Sequence, residues 1–163
     1  MTLDDLQILV DRMTYGPVPT QAKKVYAYLG QVHDLLQVLP GAIVIRGRVL
    51  DACAEGGLPA QEEAIPQFIQ AQLMAYIETR QERHKTSVLL LDDAEVIARY
   101  RLPMTFLYSL VGDTHAIVLC VARGGSPQDW KLPTYVSFDP HEITNFFEHT
   151  LGDQCIRQTG GGG

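Results

Sequence analysis

The residues able to do chemistry in this chain gather at the polar ends of its apolar runs. Ser87-Val88-Leu89-Leu90-Leu91 is followed at once by Asp92-Asp93-Ala94-Glu95. Carboxylates placed this way can hold a divalent cation through its water shell, while a second acid orients an attacking water. The same acids also serve a plainer end, since a strand leaving a core must meet polar residues, and Asp or Glu favours the start of a following helix. Arg46 and Arg48 bracket Gly47 just after Ala42-Ile43-Val44-Ile45, and Arg123 follows the run Ala116 to Val121. Guanidinium groups on one edge would hold an anion or a partner's carboxylate. The alternative is that they pair with Asp51, Asp92 or Asp93 and neutralise that edge. Trp130, between Asp129 and Lys131 in a polar stretch, is an interface anchor if exposed and a cover for the sheet edge if packed.

Other chemistries lack their patterns. His141-Glu142 and Glu148-His149 do not have the His-Glu-x-x-His spacing of a zinc helix, so no metal ligand set is assigned. Ser109, Ser126 and Ser137 lack the Gly-x-Ser-x-Gly elbow that exposes a nucleophile. Cys120 lies inside an apolar run, where burial raises a thiol's pKa and suppresses its reactivity. Cys53, Cys120 and Cys155 are widely spaced and odd in number, which fits reduced thiols of a cytoplasmic protein better than a disulfide framework. No catalytic residue is assigned.

These residues must be positioned by alternating strands and helices. Thr2 with Asp5 is a helix-start pattern, and Leu3, Leu6, Val10 and Met13 follow at helical spacing. After Gly16-Pro17-Val18-Pro19, the residues from Thr20 to Leu39 keep a period near 3.6 and predict a second amphipathic helix. The competing reading makes Lys24 to Leu29 a strand, with Gly30 as its turn into a helix. Ala42 to Ile45 reads as a central strand, and Val49, Leu50 and Cys53 as a short helical turn. A helix runs from Ile65 to about Arg83 with Pro66 in its first turn. Ser87 to Leu91 and Ala116 to Val121 are buried strands, with a helix over Tyr100 to Leu110 between them. Thr134 to Phe138 reads as an edge or fourth parallel strand, and Asp139-Pro140 opens the helix carrying Ile143, Phe146, Phe147 and Leu151.

Uniformly apolar strands alternating with helices imply a three-layer α/β fold, a mostly parallel sheet with helices on both faces. With 163 residues, one domain is expected over 1–152, followed by a flexible polar and glycine-rich tail over 153–163. Gly160 to Gly163 read as that tail's end or a cloning remnant, with a di-glycine conjugation tail as the sharper alternative. Thirteen basic residues against nineteen acidic ones, net −6, disfavour direct nucleic-acid binding through a general basic surface. The apolar runs are too short to span a bilayer and the acidic start lacks a signal's basic region, so a cytoplasmic protein with no membrane partner is expected.

One resemblance emerges from these runs. Leu89-Leu90-Leu91-Asp92-Asp93-Ala94-Glu95, a helix, the strand Ala116 to Val121 with Arg123 after it, and Tyr135-Val136-Ser137-Phe138-Asp139-Pro140-His141-Glu142-Ile143 together look like the second half of an AAA+-type P-loop ATPase core. The resemblance implies a P-loop-NTPase-like topology in which the acidic strand is the second nucleotide motif, the next strand ends in a sensing polar residue, and a final strand leads to a lid helix. Its metal and water roles carry onto Asp92, Asp93 and Glu95. The departure is large, because Gly-x-x-x-x-Gly-Lys-Ser/Thr occurs nowhere, so no loop wraps phosphates in amides and no lysine meets their charge. The chain is also similar in size and layout to small degenerate P-loop-like accessory proteins of bacterial phage-defence clusters of the BREX type. The expectation is therefore a non-catalytic adaptor that binds other proteins and uses no cofactor. The alternative is an atypical ATPase or nucleotide sensor that takes ATP and Mg2+ and builds a phosphate cradle near Gly30 or Gly47.

Overall fold

A computed structural model of the chain describes residues 2–15, 24–30, 32–45, 62–84, 87–92, 94, 97–98, 100–112, 114–121 and 140–157. The first helix, α1 (Leu3–Tyr15), opens on the expected reciprocal cap. The Thr2 amide donates to Asp5 Oδ2 at 2.9 Å and the Asp5 amide donates to Thr2 Oγ1 at 3.2 Å, which satisfies two amides that the helix leaves free. Those bonds favour the ionised acid and hold the Asp5 carboxyl below its ordinary pKa.

The preferred reading of Thr20 to Leu39 as one helix is corrected. Val25–Leu29 is a strand, β1, and only Val32–Val38 is helical, forming α2. All five residues of β1 are buried, so both faces of Val-Tyr-Ala-Tyr-Leu pack, which suits β-branched and aromatic side chains on a pleated surface. Tyr26 is a buried residue of this strand, whose phenol burial pushes up to about 12.

Four more strands complete the sheet: β2 (Ile43–Ile45), β3 (Ser87–Leu91), β4 (His115–Cys120) and β5 (Cys155–Arg157). Every pairing is parallel and the order is β2-β3-β4-β1-β5. Between them lie α3 (Ile65–Gln81), α4 (Thr105–Val111) and α5 (Pro140–Leu151). The faces follow from one hand of crossover. The connections β2 to β3, β3 to β4 and β4 to β5 all step the same way along the sheet, and their helices α3, α4 and α5 share one face. The connection from β1 to β2 steps the other way, and α2 lies with α1 on the opposite face. The observed order differs from the dinucleotide-binding order 3-2-1-4-5-6 and from the flavodoxin-like order 2-1-3-4-5.

On the larger face Ile65, Ile69, Leu73 and Ile77 of α3, spaced at four residues, meet Leu89, Ile117 and Leu119 of the sheet. Phe106, Leu107 and Phe147 close that layer, and Gln81 Nε2 donates to Leu110 O at 2.8 Å, tying α3 to α4. Pro66 sits in the first turn of α3 as expected.

Three further expectations change. Ala42 to Ile45 was read as central, yet β2 is an edge strand with Ile43 and Val44 only half-buried. The helix expected over Tyr100 to Leu110 begins at Thr105, because Arg101 sits at φ 50 and Pro103 disfavours helical backbone at Leu102. Within the tail expected over 153–163, Cys155–Arg157 pairs with β1 and fully buries Ile156, so the sheet extends past residue 152. The readings at Val49 to Cys53 and Thr134 to Phe138, the Asp139 cap, and Gly160 to Gly163 lie outside the described residues.

Candidate functional site at the carboxyl edge

Because all pairings are parallel, the carboxyl ends of the strands share one edge, and β3, β4 and β1 end there as consecutive neighbours. In open α/β sheets the ligand crevice lies where adjacent strands send their connections to opposite faces. That point is between β1, which continues into α2, and β4, whose chain reaches α5 on the other face. The Val121 amide donates to Tyr28 O at 2.9 Å, so the two strands stay joined to their last residues.

The turn leaving β1 is short. Only Gly30 and Gln31 separate Leu29 from Val32. A Cβ on Gly30 would lie 2.6 Å from Cε1, 2.7 Å from Cζ and 2.9 Å from the hydroxyl oxygen of Tyr28, so the tyrosine ring occupies the space that only glycine leaves open. Tyr28 is fully buried and its hydroxyl donates to Asp34 Oδ2 at 3.2 Å. Burial first, then the Asp34 charge, push its phenol up to about 12. Asp34 sits in the first turn of α2, with His33 Nε2 3.5 Å from its other oxygen. A phosphate approaching this turn would meet the chain's own carboxylate, the reverse of the positive field that phosphate loops provide.

Of the candidate nucleotide and metal acids, Asp92 is placed on this edge, half-buried directly after β3. Asp93 and Glu95 lie outside the described residues, as do the anion candidates Arg46, Arg48 and Arg123 and the interface candidate Trp130. Strand β2 ends beside β3 at the pair Ile45 and Leu91. Among the described residues no group of three His, Cys, Asp or Glu is arranged to hold a metal ion. His149 is exposed and Glu148 half-buried on α5. Ser109 donates to Phe106 O at 2.7 Å, an ordinary helical back-bond. Cys120 is buried at 1% exposure and Cys155 half-buried, on opposite faces of the sheet.

The opposite edge holds a polar cluster that the sequence reading did not identify. Lys24 is 2% exposed and its Nζ donates to Gly112 O at 2.5 Å. Ser87 Oγ lies 2.7 Å from His115 Nδ1, the two residues being register partners at the start of β3 and β4. Burial, then the nearby His84 and Lys24 charges, hold the His115 imidazole below its ordinary pKa. These bonds tie β1, β3, β4 and the turn after α4 at their amino ends. No spacing signal reveals this pair, which is 28 residues apart and meets only through strand register. The Tyr28 contact was more accessible, since Gly30 and Asp34 both lie within six residues of it.

Compared with known proteins, the chain matches no family model, no curated protein and no solved structure. No helix among the described residues is long and apolar enough to cross a membrane.

Proposed function

We propose that this protein is a non-catalytic, P-loop-like accessory subunit of the cytoplasm, acting through protein-protein contacts, as expected from its likeness to small phage-defence accessory proteins. The observation that carries the reading is the turn after β1. A phosphate loop of the Gly-x-x-x-x-Gly-Lys-Ser/Thr kind needs about eight residues of exposed amides and a lysine. Here two residues join β1 to α2, Tyr28 packs over Gly30, and Asp34 supplies negative charge. The consecutive carboxyl ends of β3, β4 and β1 support the P-loop-like part of the reading, because an acidic strand, a sensing strand and a glycine turn must meet around one nucleotide.

The test is a thermal melt with ATP, ADP or GTP plus magnesium, beside a hydrolysis assay of the protein and its Asp92→Asn variant. We expect no shift and no turnover in either protein. Nucleotide at a hundred times its Kd would stabilise the fold by about 2.7 kcal/mol and raise Tm by roughly 5–11 °C. Such a shift, with turnover lost in Asp92→Asn, would replace this reading with that of an atypical ATPase.

A further inference from the structure

The face carrying α1 and α2 offers a surface that the carboxyl edge does not. A cavity of about 290 Å3 opens between the end of α1, the turn after α2 and the start of β3. Its described lining is mostly apolar, with Val10, Met13, Val38, Pro40 and Val88 among the walls beside Ser87, and Asp11 is the one ionisable group on it among the described residues. That volume is at the small end of ligand cavities, roughly 300–1,000 Å3, and suits a single large apolar side chain. Beside it runs a stripe on α1. Asp4, Ile8 and Asp11 follow at i, i+4 and i+7, so they share one side of the helix. Ile8 is 53% exposed, the only large apolar residue so exposed among the described residues. Arg12, also exposed, stands next to Asp11 and one turn beyond Ile8.

We infer that this surface docks a short basic segment of a partner protein, inserting an apolar side chain into the cavity and placing cationic side chains on Asp11 and Asp4. The inference rests on the adaptor reading and names the partner's chemistry. Charge complementarity selects the occupant: the stripe presents carboxylates around an exposed isoleucine, and the chain as a whole carries −6. Seven residues of helix separate the two acids by about 10 Å, a distance an extended peptide covers in about three residues. The segment therefore carries basic residues three apart with an apolar residue beside one of them.

The probe is acetyl-Lys-Ala-Leu-Lys-amide, titrated into the isotope-labelled full chain while amide shifts are followed by NMR. Ile8, Asp11, Val38 and Gly41 should move together and saturate in the millimolar range. Asp11→Asn should weaken binding by about twofold to fivefold, the range of exposed ion pairs. Arg12→Gln should tighten it by about twofold through loss of a like charge, a gain that misfolding cannot mimic. Gly41 lines the cavity and a Cβ there meets nothing within 4 Å, so Gly41→Leu adds bulk at its mouth without a backbone clash and should weaken the shifts at Val38. Equal binding of acetyl-Glu-Ala-Leu-Glu-amide, indifference to Asp11→Asn, or no shift at these residues would overturn the inference. Concentration-dependent shifts there without peptide would overturn it too, since a second copy would then be the occupant. A failed peptide titration leaves the adaptor reading intact if nucleotide also fails to bind. Nucleotide binding at Gly30 sinks that reading and leaves the α1 surface to its own variants.

Discussion

The two faces of the sheet are built differently. The face under α3, α4 and α5 is a closed apolar layer in which Ile69, Leu73, Ile77, Leu107 and Phe147 are all fully buried. The face under α1 and α2 has the tyrosines Tyr26 and Tyr28, an open cavity and an exposed isoleucine. Interiors reach crystal-like density where stability is the only demand. The layer under α1 and α2 is the one in which a cavity opens among the described residues.

Core truncation tests this contrast most strongly. Leu73→Ala, in the middle of α3, should cost about 3 kcal/mol, whereas Met13→Ala, whose side chain already borders empty volume, should cost nearer 2 kcal/mol. Urea unfolding of both variants measures this, and equal losses would erase the distinction between the layers.

The glycines sharpen it on a smaller scale. Gly30→Ala drives a Cβ into the ring of buried Tyr28, and should cost about 1–3 kcal/mol and loosen the bond to Asp34. Gly41→Ala points into open space and should be neutral or stabilise by up to about 1 kcal/mol, by reducing unfolded-chain entropy. A harmless Gly30→Ala would mean that the turn after β1 is not closed by the tyrosine.

The smallest effect is the pH dependence at the amino edge. His115 has a folded-state pKa below its ordinary 6.5, so the unfolded chain binds more protons in that range. Its contribution to stability is complete above pH 6.5 and is lost as pH falls through the lower folded value. Melts from about pH 8 down to about pH 5 should show this fall, and His115→Gln should flatten it. An unchanged profile in that variant would assign the fall to other groups.

How much of this was legible in the sequence depends on distance along the chain. The Thr2 and Asp5 cap is local and was read correctly, as were the uniformly apolar β3 and β4. Strand β1 was misread because Val25, Tyr28, Leu29, Val32, Leu35 and Leu39 sustain a helical period across Gly30, and periodicity in a short window cannot separate a buried strand from a helix. The edge position of β2 was hidden because strand order is set by crossovers, which apolar composition does not encode. Cys155–Arg157 is three residues with one buried side chain, too little pattern to show. Of the candidate site, the carboxyl edge and Asp92 were anticipated from topology. The packing of Tyr28 over Gly30 and its bond to Asp34 were not, although the three lie within six residues, because β1 was misread as helix.

The most direct measurement is an NMR titration of the labelled chain with ATP and magnesium, watching the amides of Gly30, Val32, Asp34 and Asp92. A turn closed by its own tyrosine and carboxylate should leave these amides unmoved at millimolar nucleotide. Saturable shifts at Gly30 and Val32 with a micromolar midpoint would contradict the account and make this edge a nucleotide site.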